Sequence, residues 1–251
     1  MIPKIVHYCW FGRGPKPKLA EKCIASWRKF LPDYEIKEWN EDNYDVRKIP
    51  FIAEAYDARK YAFVSDYARF DILHKFGGVY FDTDVEVVQT LDDILGRGAF
   101  MGLENAQTIN PGLGLAVERG HELYRTVLDF YAALHFKLPN GALNIKPIGN
   151  HVTELYEHMG LVLGSGVLSF NGINIYPVDY FNPKLPNGKI VMTENTRCIH
   201  HYSASWYTPR ERMIGWVGGH FGKRAAMAVG LLTRNPLAIP ARAFRYWKDG
   251  K

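Results

Sequence analysis

Long apolar runs are missing from this 251-residue chain: none reaches the roughly 18–20 residues that a membrane span requires. Cysteine is scarce, with three residues in all, Cys9, Cys23 and Cys198. Their number is odd, each sits in an apolar pattern, and no Cys–His metal spacing accompanies them. This argues against a disulfide framework and for buried thiols in a reducing compartment. The first dozen residues lack the basic-then-apolar layout of a secretory signal. A cytoplasmic location is the expectation. No internal repeat or low-complexity tract occurs.

What is present suffices for one substantial core, since 47% of residues are hydrophobic and 23% charged. Residues 2–11 read as a strand, ending in the Gly- and Pro-rich loop 12–17. Helical spacing of Leu19, Cys23, Trp27 and Phe30 follows, then an alternating strand over 34–39. Strand, helix and strand in forty residues imply a βαβ unit and an α/β fold with a parallel sheet. Ligands of such sheets bind beyond the carboxyl ends of the strands, where Trp10 and Phe11 stand. Later segments predict a strand at 99–104, a glycine-rich loop and strand over 108–116, and helices over 121–136 and 150–159. Two late strands are expected at 173–178 and 196–202.

The centre of the chain is FGGVYFDTDVEVV, residues 76–88. As one extended run it places Val79, Phe81, Thr83, Val85 and Val87 on one face and Tyr80, Asp82, Asp84 and Glu86 on the other. Two carboxylates two apart on a strand can hold one hard divalent cation. The preceding helix, predicted over 58–76 with an inner stripe of Tyr61, Ser65, Ala68, Ile72 and Phe76, carries Asp66 and Arg69 three apart on one face. Such a pair is either a structural ion pair or part of a site. Gly77-Gly78 ends the helix and turns the chain into the acidic strand.

Three stretches in one order, IPKIVHYCWFG, SDYARFDILHKFGGVYFDTD and IHHYSASW, resemble the DXD-motif glycosyltransferases. The resemblance is to family 32, the capsular polysaccharide and lipopolysaccharide sugar transferases, and more distantly to the glucosyltransferase domain of large clostridial toxins. It covers about residues 1–208 and implies a GT-A fold, with a mostly parallel central sheet flanked by helices. It also implies hexosyltransferase-type activity on a nucleotide-sugar donor, a Mn²⁺ or Mg²⁺ ion, and retention of anomeric configuration. In such retaining transfer the leaving phosphate oxygen takes the acceptor proton. No residue is assigned as base.

Carried over by position, Asp82 and Asp84 match the DXD pair. Asp66 and Arg69 match the pair that holds the transferred sugar and the diphosphate side. Trp10 matches a tryptophan stacked on the nucleobase, which favours a UDP-sugar; Tyr80 borders the donor, and Asn110 lies where relatives place an asparagine near the sugar. The late element 200–206 resembles a His…Ser-Trp closure over the diphosphate. Ser205 and Trp206 would touch the phosphates. One of His200 and His201, which face opposite ways on a strand, would complete the metal shell; His201 is preferred.

Beyond residue 208 the chain interleaves basic residues such as Arg210, Arg212, Lys223 and Arg224 with Trp216, Phe221, Tyr246 and Trp247. Two readings of the 209–251 extension stand side by side: attachment to an anionic membrane surface, here the inner face of the plasma membrane, and a packed helical subdomain with a solvated basic face. No recognised nucleic-acid motif accompanies it. The expected partners are the donor and a glycan or lipid-linked glycan acceptor of surface polysaccharide synthesis. Two other functions fit parts of the pattern. Asp82-Thr83-Asp84-Val85 also suits the nucleophile motif of haloacid-dehalogenase phosphatases, and the fold could serve as a non-catalytic nucleotide-sugar-binding module.

Overall fold

A computed structural model describes residues 1–185, 188–203 and 217. By its contacts the chain divides into two units, Met1–Lys184 with Val191–His201, and Leu185–Ile190 with Tyr202–Lys251. The first unit holds every named strand and helix. The expected boundary at residue 208 and the 209–251 extension fall outside the described residues, Val217 excepted.

The elements run β1 (Ile5–Cys9), α1 (Lys18–Phe30), β2 (Glu35–Trp39), α2 (Pro50–Asp57), α3 (Tyr61–Phe76), β3 (Gly78–Tyr80), β4 (Val85–Val87), α4 (Asp92–Leu95), β5 (Ala99–Asn105) and β6 (Thr108–Ile109). After them come β7 (Leu115–Val117), α5 (Glu122–Ala132), α6 (Ile148–His158), β8 (Leu168–Phe170), β9 (Ile173–Tyr176), α7 (Val178–Phe181) and β10 (Cys198–His200). The main sheet has the order β2-β1-β3-β7-β5-β9-β8, with β6 paired to β5. β1 is parallel to β2 and β3, β7 is antiparallel to both β3 and β5, and β9 is parallel to β5. Five strands of that path, β2, β1, β3, β5 and β9, therefore point the same way. The fold is the expected α/β arrangement, a mostly parallel central sheet flanked by helices.

Strand alternation sorts the layers. Val6, Tyr8, Val79 and Phe81 join Cys23, Ile24 and Trp27 of α1 in one apolar core. Trp27 is fully buried and donates its indole N–H to the carbonyl of Val85 at 2.8 Å. Truncation of such a residue to alanine costs about 3–5 kcal/mol. The opposite faces of the same strands carry His7, Cys9 and Tyr80 toward α3. His7 is fully buried: Trp39 donates to its Nδ1 at 3.1 Å, so the other ring nitrogen donates to the carbonyl of Gly77 at 2.9 Å. Burial lowers its pKa to about 4, so the ring is neutral.

Three expectations need correction. The helix expected over 58–76 is α3, but it begins three residues later, at Tyr61, because Arg59 adopts a positive φ of 57° between α2 and α3. Of the stripe expected on α3, Ala68 and Ile72 are buried and Tyr61 and Ser65 half-buried, but the stripe does not mark off one buried side. The helix is packed nearly all round, from Phe63 to Leu73, whereas Phe76 is 42% exposed. And the acidic segment is no continuous strand. β3 stops at Tyr80, residues 81–84 turn, and β4 leaves the main sheet to pair antiparallel with β10. Helix α2, strand β8 and helix α7 were not anticipated, being short or lacking a clear period.

Candidate active site

β1 and β3 are parallel neighbours, so Trp10 after β1 and Asp82 after β3 emerge at the same edge of the sheet. The corner that delivers Asp82 depends on glycine. Gly78 has φ +104°, and a Cβ there would lie 2.7 Å from the Ile5 carbonyl oxygen, a backbone atom that cannot give way.

Asp82 and Asp84 converge through the turn between β3 and β4, not through strand alternation. The amide of Val85 donates to the Asp82 carbonyl at 3.0 Å and closes that turn. The histidine beside them is His200, whose Nε2 lies 3.1 Å from Asp84 Oδ1. Ligand atoms of Asp82, Asp84 and His200 all lie within 4.8 Å of one another. The preference for His201 is not met. His200 pairs with Val85 across the β4–β10 ribbon, and the next residue turns the other way. His201 Nε2 meets Glu86 Oε2 at 2.8 Å, and the same oxygen takes the ammonium of Lys22 at 2.8 Å. Glu86 is thereby a structural anchor, held below its ordinary pKa by Lys22 and His201 against the opposing effect of burial.

Arg69 reaches the cluster from α3. Its side chain is 3% exposed, and its Nη2 lies 3.1 Å from oxygens of both Asp66 and Asp82, with Nη1 3.4 Å from the second Asp82 oxygen. Nε donates to the Ser65 carbonyl at 3.0 Å. The guanidinium carbon stands 5.0 Å over the Tyr80 ring, whose hydroxyl donates to Asp82 at 3.2 Å. Burial works against the Arg69 charge, but Asp82, Tyr80 and Asp66 hold the group firmly protonated. Burial pushes the Asp66 carboxyl up to about 7 despite Arg69. Burial also raises Asp82, with Arg69 opposing and the Asp84 charge adding to it. His200 is raised too, because Asp84 and then Asp82 outweigh the lowering by burial. Two carboxylates that repel one another, beside an imidazole, form a donor set of hard oxygens and one borderline nitrogen. That set suits a divalent cation.

Trp10 is partly buried, with its indole N–H donating to the Gly14 carbonyl at 2.7 Å and Lys16 lying 6.0 Å over its ring. Asn110 sits beside Asp82 by way of Gly112. Asn110 Oδ1 accepts the Gly112 amide at 2.7 Å, and the Gly112 carbonyl accepts the Asp82 amide at 3.3 Å. The side chain of Asn110 is thus committed to its own turn. Ser205 and Trp206 lie outside the described residues. Gly112 and Glu104, which accepts from Asn110, escaped the sequence reading. The Pro-Gly pair at 111–112 was a visible turn signal, but nothing local marked its contact with Asp82.

Comparison with known proteins finds several partial likenesses. Residues 17–101 match the family described as a glycosyltransferase sugar-binding region containing a DXD motif. Inositol phosphoceramide mannosyltransferase 3 of Schizosaccharomyces pombe is 29% identical over 147 residues, covering 54% of this chain and 40% of that protein. An uncharacterised glycosyltransferase, L373, of Acanthamoeba polyphaga mimivirus is 34% identical over 110 residues, covering 40% of this chain and 42% of its own length. The chain thus spans less than half the length of these relatives. Among solved structures, the PaToxG glycosyltransferase aligns with a TM-score of 0.49 at 20% identity, over 63% of this chain and 70% of its own. Asp66, Arg69, Asp82 and Asp84 all fall inside residues 17–101, so the part of the chain that holds them is similar to a glycosyltransferase sugar-binding region containing a DXD motif.

Proposed function

We propose that the chain is a metal-dependent retaining glycosyltransferase that moves a sugar from a nucleotide-sugar donor, a UDP-sugar in the first instance, to a glycan or lipid-linked glycan. The observation that carries this is the meeting of Asp82, Asp84 and His200 within 4.8 Å, with the buried Arg69 guanidinium against Asp82. A divalent cation bound there would stabilise, as a Lewis acid, the negative charge that develops on the departing diphosphate. The chain's residues do the rest. Asp82, Asp84 and His200 hold the cation. Arg69 has a planar fork of donors for sugar or phosphate oxygens, and Asp66 with Ser65 keeps that fork in one plane. Trp10 offers a flat face for a base, where stacking is worth about 1–3 kcal/mol.

The setting we assign is the cytoplasmic side of a membrane, in the synthesis of a surface polysaccharide. Support is indirect: the S. pombe relative is named for mannosyl transfer to inositol phosphoceramide, a lipid. No described helix is long and apolar enough to cross a membrane; the attachment we assign to this chain is peripheral. Flotation with anionic but not neutral vesicles is the expected behaviour.

A panel of nucleotide sugars incubated with Mn²⁺ tests the activity. Slow release of sugar from one donor, abolished by Asp84→Asn, is expected. Hydrolysis of simple phosphoesters without donor hydrolysis would sink the assignment in favour of a phosphatase. Donor binding with no turnover, even given acceptor, would favour a binding module.

A further inference from the structure

Asp82 is seated by a chain of contacts that begins at Glu104, a residue in none of the motif stretches. Glu104 stands near the end of β5, where its main-chain oxygen accepts Nδ2 of Asn182 at 2.9 Å; Asn182 is 3% exposed. Its Oε2 accepts Nδ2 of Asn110 at 2.8 Å. A carboxylate is an acceptor only, so it selects the amino end of the Asn110 amide. The other end, Oδ1, must then face away, and it accepts the Gly112 amide at 2.7 Å. The turn is completed by the Leu113 amide on the Asn110 carbonyl at 3.2 Å and brings the backbone of Gly112 against Asp82. The approach is close enough that a Cβ at 112 would lie 2.3 Å from Asp82 Oδ2.

We propose that Glu104 is a positioning residue for the Asp82–Asp84–His200 cluster, acting by fixing the orientation of the Asn110 amide and hence the seat of Asp82. This rests on the reading that the cluster holds a divalent cation. With the amide reversed, its NH₂ would face the Gly112 N–H, donor against donor, and the turn would shift away from Asp82. The carboxylate then loses the wall that directs its oxygens. Partners of metal ligands that act in this way change affinity about 10–100-fold.

Binding of Mn²⁺, followed by loss of the free-ion electron paramagnetic resonance signal, tests this without turnover. Glu104→Gln can still present a carbonyl oxygen to Asn110 and should bind within about threefold of wild type. Glu104→Leu should bind about tenfold more weakly, and Glu104→Lys, which selects the reversed amide, more weakly again. Melting of the metal-free proteins should not follow that order. Asn110→Ala should match Glu104→Leu, and the double variant should lose nothing further. Should the Leu and Lys variants not fold, Asn110→Ala alone decides, since unchanged Mn²⁺ binding there overturns the proposal. Wild-type protein that binds no Mn²⁺ overturns the metal reading and this proposal with it. Wild-type binding that persists unchanged in Glu104→Leu and Glu104→Lys overturns this proposal alone.

Discussion

Arg69 and Asp82 meet at 3.1 Å across the corner that joins α3 to β3, the guanidinium buried and the carboxylate partly open to solvent. One guanidinium serves Asp66, Asp82 and two oxygens of Ser65. Arg69→Ala would leave two carboxylates facing each other without a cation, a loss of about 3 kcal/mol in urea unfolding. Arg69→Lys keeps the charge but not the fork. We expect it to fold with a melting point a few degrees lower and to release sugar from the donor on the order of 100-fold more slowly. Equal rates for Arg69→Lys and wild type would remove Arg69 from the donor site.

Two glycines near the site separate a structural effect from a functional one. Gly78→Ala sets a Cβ against the Ile5 carbonyl at 2.7 Å with φ +104°, so it should cost about 1–3 kcal/mol of stability. Gly112→Ala sets its Cβ against the end of the Asp82 side chain, which can rotate aside. Stability should change little, while the Mn²⁺ concentration that half-saturates donor hydrolysis should rise about tenfold. Thermal melting and a metal titration of both variants read the two effects apart.

The fold's class was legible because β1, α1 and β2 each show their own hydrophobic period within the first forty residues. The Asp66, Arg69, Asp82 and Asp84 positions were legible because they lie within twenty residues of one another around a Gly-Gly stop. What local pattern could not reveal is long-range. Alternation continued through Phe81 to Val87 hid the turn at 81–84, because the chain bends while both its strands keep burying valine. Gly112 comes to Asp82 from a separate turn, and Glu104 comes to Asn110 of that turn from β5, contacts that no local pattern announces. α3 misled through its own composition: a helix buried on nearly all sides has no stripe to read.

Asp66 carries a pH dependence of stability whose sign follows from burial. Its folded pKa is about 7, above the ordinary value of 3.8, because burial disfavours the anion more than Arg69 favours it. The folded state therefore binds more protons than the unfolded state between these values, and stability falls as pH rises through that window. Below 3.8 the contribution is fully present; above about 7 it is lost. Asp66→Asn cannot ionise, so its unfolding free energy should lack this decline. Urea titrations at pH 5 and pH 8 test it: the variant should gain on wild type at the higher pH. A parallel loss at both values would show that Asp66 is ionised throughout.

His200 and His201 are adjacent, yet they belong to different assemblies, and the difference can be read by mutation. His200 is 7% exposed and faces Asp84 at 3.1 Å; His201 faces Glu86 and, through it, Lys22. His200→Ala removes one of three donors and leaves Asp82 and Asp84 as the cluster. Mn²⁺ binding should weaken at least tenfold, and donor hydrolysis should become rescuable by excess metal. His201→Ala removes a contact that is 19% exposed at each partner and leaves the Lys22–Glu86 pair in place. It should cost less than about 1 kcal/mol of stability and leave Mn²⁺ affinity unchanged. The reverse pattern, with affinity lost in His201→Ala and kept in His200→Ala, would mean that the ribbon of β4 and β10 shifts by one residue when a cation binds. Strand alternation makes any smaller adjustment unable to exchange the two rings.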